Sequence, residues 1–574
     1  MANLIKKNWS ILLLVFVGLI IFIPTLKFDF TEKDWVHFLT VSTNIPGKLP
    51  IFQIPLTYYY NQYGWFWISV VIAKMFIGLN PFLYFLLSLV LRIIAGISIY
   101  KLVLAVTKSK FSSTLAGLFF LLSLSGIETT TWVTQLIVYI ILILLAISFT
   151  VWFQFLEKPS KSTFLKSFMF YLLTIWVSHI RAYAYPLVMI IANVYTLFSE
   201  KDKSKKYWQK THLFFTSISF LYIYFITDMM KTTYELSGKM VSFKILLKSL
   251  ITGFPPVIHS LILFLGNIIT PPQLFSFSSG SISSYYNNQK IIFIIIAITF
   301  VNLIVLLKIL KKRQFPLAII FVPVFFYPFS VYFSTKYMVG WQTSWYPVNI
   351  LGGCILFYLL FAALSNIKTS FWPSVLILLG ILISTAHIFI PWISFLMPES
   401  NEQSAFDFLS RYYSIPVFGL SLSWGGLSSI LLNRGNNPNT SLKFLYLPIR
   451  YVFFITLIAV PICNGYFLTK YLYSNYRQSS HNFRTYIARQ INDRFYHINK
   501  QEELTLIIVN ELDPVKRSEL IHGVPKILFI NYGFRNLQNN PSVTILNSKS
   551  ELTNVNSNNI YIFIFTNNEL KEIK

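Results

Sequence analysis

The sequence predicts an all-α polytopic membrane protein of about thirteen membrane-spanning helices, followed by one small α/β domain. Three observations predict it. The 574 residues are 55% hydrophobic and only 12% charged, whereas a soluble domain carries about 25% charged residues, and the mean hydropathy is +0.59. Apolar runs of about twenty residues, the length a helix needs to cross the hydrocarbon core, recur from Ile11 to Leu468. From Tyr476 onward the texture changes to short β-rich runs, "LTLIIVN", "KILFIN" and "IYIFIF", set between polar stretches with Asn, Asp and Gly.

The net charge of +26 does not point to nucleic acid. The Lys and Arg residues gather in short loops between apolar runs, as expected where cationic loops stay on the cytoplasmic side. Cys354 and Cys463 both lie in apolar stretches, which reads as two small buried hydrophobes rather than a disulfide framework.

The same charges give the order of the spans. Lys6 and Lys7 place the start inside, and Trp9 to Leu26 is the first span, since its apolar stretch exceeds a signal-peptide core and no small-residue cleavage site follows. Residues 27–80 form the first outer loop. A span over 81–106 returns the chain to the cationic Lys108-Ser109-Lys110, spans over 111–126 and 133–155 lead to Lys158 and Lys161, and spans over 164–180 and 183–198 lead to the cluster Lys201 to Lys210. A span over 211–229 then exits. Of the next two apolar segments only one can cross, because Lys308, Lys311, Lys312 and Arg313 must lie inside. Pro255-Pro256 and Pro271-Pro272 mark 245–272 as the re-entrant or interfacial one, since tandem prolines remove helix donors. Spans over 290–307, 316–334, 346–365, 371–393, 410–432 and 444–470 complete the membrane domain, 1–474. The α/β domain, 475–574, then faces outward, with a helix over 483–495 ahead of its strands.

Ionisable residues at the membrane edge are costly and mark candidate sites. Asp29, Glu32 and Asp34 fall together in "FDFTEKDWVHF", just after the first span. Like-charge repulsion and desolvation in such a cluster raise one carboxylate's pKa, which suits a general base; a solvated loop that helps set topology is the alternative. Arg92 lies mid-span, Arg181 at the outer end of a span in "WVSHIRAYAYPL", and Lys336 in the outer loop "TKYMVGWQTSWYP". Such cations grip phosphate oxygens. An ion pair with the loop acids for Arg92, and snorkelling to headgroups for Arg181 and Lys336, are the structural alternatives. Phosphate-binding Gly-rich loops, His-Glu-x-x-His, Cys pairs and Gly-x-Ser-x-Gly are all missing from the sequence.

The segments "EKDWVHF", "FQIPL", "IGLNPFLYFLLSLVLRIIAGISIY" and "IETTTWVTQLIVYI", in this order, resemble the polytopic C-type (GT-C) glycosyltransferases, particularly the protein O-mannosyltransferase-like branch. The similarity covers the first two hundred residues and a patch over 335–360, where "TKYMVGWQTSWYPVNILGGCILFYLL" is similar to the family's outer loop and following span. Four positions depart from the pattern: Lys33 separates Glu32 from Asp34, the family's Arg before Pro-Leu is replaced near Gln53, Arg92 stands where the family has a mid-span His, and Ile180-Arg181 replaces Lys-Glu.

The resemblance implies a GT-C-like fold and transfer of a sugar from a polyprenyl-phosphate donor to an acceptor hydroxyl on the outer face, with inversion. It implies Asp34 as the base, with Asp29 or Glu32 next in line. Arg181, Lys336 and Arg92 would stabilise the departing phosphate, and Glu128, Trp132 and His37 would shape the acceptor site. The acceptor would be a protein, glycan or lipid rather than a nucleic acid. A composition rich in Ile, Lys, Asn and Phe points to an AT-rich bacterial genome, hence to membrane lipid in a bacterial plasma membrane. No cofactor is demanded, and a divalent cation is left open. A lipid-linked glycan flippase or transporter is the rival reading, although paired halves with matching broken helices are not visible. A non-catalytic GT-C-like scaffold is the other.

Overall fold

The computed structural model describes residues 2–31, 34–35, 37–38, 64–178, 184–200, 202–233, 346–392, 411–433, 443–473, 486–494, 505–509, 524–528, 542–546, 560–566 and 569–572, with a few isolated positions between. Glu32, Arg181 and Lys336 lie outside these residues, as do most of the first outer loop and of the 245–272 element, and the spans expected over 290–307 and 316–334.

The described helices are α1 (Ala2–Phe22), α2 (Gly64–Ile77), α3 (Pro81–Thr107), α4 (Lys110–Leu122), α5 (Ile137–Glu157), α6 (Lys161–Ser178), α7 (Tyr185–Ser199), α8 (Lys203–Thr233), α9 (Tyr346–Asn366), α10 (Phe371–Trp392), α11 (Ser414–Asn433) and α12 (Lys443–Tyr473). The described residues are mostly helical, as the apolar runs predict. Five helical segments among the described residues are long and apolar enough to cross a membrane: Asn8–Lys27, Pro81–Thr107, Val133–Glu157, Ser414–Leu432 and Ile455–Tyr473. Shorter apolar helices cover Ile68–Ile77, Lys110–Leu122, Tyr185–Ser199 and Phe371–His387. The first of these, within α2, falls inside the stretch read from sequence as outer loop. Large side chains such as Phe16, Phe76, Met169 and Phe214 stand on exposed faces, as helices that meet lipid require.

The chain divides into two compact units. The first comprises Met1–Ile21, Val90–Thr129 and Val138–Thr469. Its helices approach closely through small residues. A Cβ on Gly117 would sit 3.2 Å from the Gly96 carbonyl oxygen, so the α3–α4 pair packs backbone on backbone. The turn between them bends at Lys108, which holds φ +57°, and Ser109 then caps α4 by accepting the Ser112 N–H. Gly380 of α10 and Gly419 of α11 are pressed together so tightly that a Cβ on either would strike the other's carbonyl. Two hydroxyls bridge this pair: Ser384 donates to the Pro416 carbonyl at 2.8 Å and Ser423 to that of Ile377 at 2.9 Å. With no hydrophobic driving force between helices in lipid, such close contact and hydroxyl bridges hold them together.

The second unit comprises Phe22–Leu89, Thr130–Ile137 and Lys470–Lys574. Its four strands among the described residues, β1 (Thr505–Val509), β2 (Ser542–Leu546), β3 (Ile560–Thr566) and β4 (Glu569–Glu572), form a sheet of order β2-β1-β3-β4. β1 pairs parallel with both β2 and β3, and β3 pairs antiparallel with β4. Leu506, Ile507 and Ile508 are consecutively buried, the pattern of a strand covered on both faces. One run departs from expectation. "KILFIN" was expected as a strand, yet 524–528 is helical. Pro525 suits a helix's first turn, and Val524, Ile527 and Leu528 are buried at helical rather than alternating spacing.

Candidate active site

The cluster after the first span is built by local hydrogen bonding. Pro24 opens a tight turn over Ile23–Lys27, and Phe28 leaves it extended. Asp29 turns back on its own chain, its Oδ1 accepting the Phe30 N–H at 2.7 Å. Thr31 then starts a helical turn. The Asp34 N–H donates to Thr31 Oγ1 at 3.2 Å, while Asp34 Oδ2 accepts the Thr31 N–H and hydroxyl, both at 2.8 Å. This is a reciprocal capping box with Asp in place of the usual Glu or Gln. Its signature, Thr-x-x-Asp, is legible in the sequence.

The other oxygen of Asp34 reaches across the unit. Oδ1 accepts the Thr134 N–H at 3.0 Å and the Thr134 hydroxyl at 3.1 Å. Asp34 is wholly buried. Burial raises its pKa from the ordinary carboxylate value to about 6, and the bonds from Thr31 and Thr134 pull in the opposite direction. Phe30, Trp35, Phe38 and Tyr84 wall this region with edge-on ring contacts of 4.9–6.0 Å, which accounts for the desolvation.

His37, one turn beyond Asp34, completes the line. Its Nδ1 lies 2.6 Å from Thr134 Oγ1. Thr134 has a single hydroxyl proton, and Asp34 is an obligate acceptor when ionised. The consistent assignment is therefore His37 Nδ1–H to Thr134 Oγ1, and Thr134 O–H to Asp34 Oδ1. In neutral His37 this leaves the basic lone pair on Nε2. The imidazole lies flat on Trp132, with centroids 5.2 Å apart and planes at 8°, and edge-on to Phe66 at 4.8 Å. Unlike Asp34, His37 is only half-buried. The structure thus brings together Asp34, His37 and Trp132 from the sequence-predicted set and adds Thr134 and Tyr84. Thr134 was missed because nothing local links it to Asp34, a hundred residues away.

The remaining candidates stand elsewhere. Asp29 is half-buried in the same loop. Glu128 belongs to the first unit, in the short turn Glu128–Thr131. Arg92, also of the first unit, is buried. Its Nη2 donates to the carbonyls of Phe120, Leu121 and Ser123, at 3.4, 3.2 and 2.9 Å, and the guanidinium lies 5.8 Å from the Phe120 ring. These carbonyls end α4, so Arg92 acts as a C-terminal cap where the helix dipole favours a cation. Among the described residues no group of three or more His, Cys, Asp or Glu side chains is placed to hold a metal ion. No protein-family model matches the chain, and no curated protein matches it.

Proposed function

We propose that this chain is a GT-C-like membrane glycosyltransferase that moves a sugar from a polyprenyl-phosphate donor to an acceptor hydroxyl at the outer face of a bacterial plasma membrane. One observation carries the reading: the hydrogen-bonded line His37–Thr134–Asp34 in the loop after the first span, where the family that the sequence resembles keeps its catalytic carboxylate. Asp34 is sealed by four donated bonds and buried, so it does not itself touch the acceptor. The base is then His37. Its Nε2 takes the acceptor hydroxyl proton while Nδ1–H holds Thr134, and the ionised Asp34 behind Thr134 stabilises the imidazolium that forms. The acceptor oxygen forms a bond to the anomeric carbon, and the bond from that carbon to the phosphate oxygen breaks. The polyprenyl phosphate leaves with the electron pair, and the proton stays on His37. Attack opposite the leaving group inverts the centre, by the geometry that governs inverting sugar hydrolysis. Arg181 and Lys336 are assigned, from sequence, to the leaving phosphate. Arg92 is kept as the cap of α4.

The second reading, a non-catalytic scaffold, is favoured by one fact: the capping box by itself gives Asp34 a structural purpose. Transfer assays on the purified full-length chain with a panel of radiolabelled polyprenyl-phosphate sugars separate the two. We expect transfer by the wild type, a fall of about 100-fold or more in His37→Ala, the usual range for a lost acid–base group, and a smaller fall in Thr134→Val. Transfer from no donor would leave the scaffold. Full transfer by His37→Ala would move the base elsewhere.

A further inference from the structure

A cleft of about 190 Å³ opens in the first unit, lined by Leu156, Thr196, Ser199, Glu200, Gln209, Phe371 and Trp372. It lies far in sequence from the loop of Asp34, and none of its lining residues is assigned to the proposed transfer. Its polar lining has one consistent property. The Thr196 hydroxyl donates to the carbonyls of Ala192 and Asn193, and that of Ser199 to the carbonyl of Thr196. Both hydroxyl protons are thus committed to backbone, and what remains on each oxygen is lone pair. Glu200 is a carboxylate, whose Oε1 accepts the Asp202 N–H. Gln209 is buried, at 2% exposure, and its Oε1 has no hydrogen-bond partner among the described residues. A buried acceptor left unmade costs about 1–3 kcal/mol, so this oxygen calls for a donor.

The oxygens of Thr196, Ser199, Glu200 and Gln209 outnumber the N–H donors of Gln209 and Trp372 in this lining, and the carboxylate makes it negative. An anion is repelled by such a lining, and a multi-donor cation fits it. The space is too large for a bare ion, since one water needs only about 10–15 Å³ of such volume. Phe371 and Trp372 form an apolar side, suited to methylenes and to the edge of a cation. Lys203, Lys205, Lys206 and Lys210 flank Gln209 in sequence on the first turns of α8, where a phosphate would be held.

We propose that this cleft holds a primary ammonium group carried on a phosphate ester, as in a phosphoethanolamine headgroup: the ammonium donates to Gln209 Oε1, Thr196 Oγ1 and the Glu200 carboxylate, and the phosphate lies against the α8 lysines. The test is native mass spectrometry of the delipidated full-length chain in detergent, titrated with phosphatidylethanolamine, phosphatidylcholine and phosphatidylglycerol, and separately with soluble phosphoethanolamine. Phosphatidylcholine is the decisive control, because its quaternary ammonium has no N–H to donate. The wild type should retain phosphatidylethanolamine at least about tenfold better than phosphatidylcholine, by roughly 1.4 kcal/mol. Gln209→Leu and Glu200→Gln should lose that preference. Gln209→Glu, which keeps an acceptor in place, should hold it. Displacement of the lipid by phosphoethanolamine assigns the site to the headgroup, and binding of phosphoethanolamine without the lipid assigns the same chemistry to a soluble amine. Equal retention of ethanolamine and choline lipids by the wild type overturns the proposal, as does a preference that survives both Gln209→Leu and Glu200→Gln.

Discussion

Two histidines, one in each compact unit, sit in hydrogen-bonded lines of similar length and face opposite fates. His212 of α8 is closed on both sides: Asn193 Nδ2 meets its Nδ1 at 3.1 Å and Ser167 Oγ meets its Nε2 at 3.1 Å. Trp152 donates to Asn193 Oδ1 at 3.0 Å, and all four side chains are fully buried. The line ties α5, α6, α7 and α8 together and leads nowhere. His37 is anchored through Nδ1 to a threonine and a buried carboxylate, but the residue is only half-buried. The difference teaches that a buried polar network fastens helices when both ends are buried, and can deliver a proton only when one end opens.

The comparison breaks most sharply at the two imidazoles themselves. His37→Ala should abolish most transfer while leaving thermal unfolding in detergent nearly unchanged. His212→Phe should do the reverse, lowering stability by about 2–4 kcal/mol because Asn193 and Ser167 lose partners, with activity per folded molecule intact. If the thermal shift falls on His37 instead, the contrast is wrong.

A smaller effect comes from pH. Asp34 is raised to about 6, so it is ionised only above that value, and the groups that bear on it are His37 through Thr134 and the Tyr84 hydroxyl. Transfer should climb through about pH 6 as Asp34 ionises, and Asp34→Asn should remove that contribution while the limb set by the base itself remains. Stability runs the other way. The folded form holds the proton more tightly than the unfolded chain, so the contribution of Asp34 is full below its unfolded value of 3.8 and declines by about 3 kcal/mol as pH rises through 6. Chemical denaturation at pH 4.5 and 7 tests this sign, and greater stability at pH 7 in wild type but not in Asp34→Asn would contradict it.

The finer changes sharpen the picture. Thr31→Ala removes the capping hydroxyl and should cost about 1 kcal/mol, read from the denaturation midpoint, with a modest loss of transfer. Tyr84→Phe should be close to neutral in both assays, because its buried hydroxyl has no hydrogen-bond partner among the described residues and its removal leaves nothing unsatisfied.

The helices were legible in the sequence because apolar runs of spanning length have few other uses, and the runs over 81–106 and 410–432 appear as α3 and α11. Inside the site, Asp34, His37 and Trp132 could be named because charged and aromatic residues stand out beside a span. Their arrangement could not, because it depends on Thr134, whose pairing with Asp34 is a matter of tertiary packing. Arg92 illustrates the same limit. A guanidinium within a span announces itself, but its partners include backbone carbonyls at the end of α4, which carry no side-chain signature, and the Tyr139 side chain, which lies far along the sequence. "KILFIN" misled because a short apolar run has no decisive period, and only Pro525 hinted at a helix.

The sheet order has a consequence in time. β1 is the first strand synthesised, yet both its neighbours, β2 and β3, come later in the chain. At a translation rate of about 5–20 residues per second, the stretch from Val509 to Thr566 takes roughly 3–11 s to emerge. The apolar segment Thr505–Val509 has no sheet partner until β2 emerges, roughly 2–7 s after Val509, and keeps one edge open until β3 follows. This nascent window is when the segment is most exposed to pairing with a neighbouring copy rather than with itself.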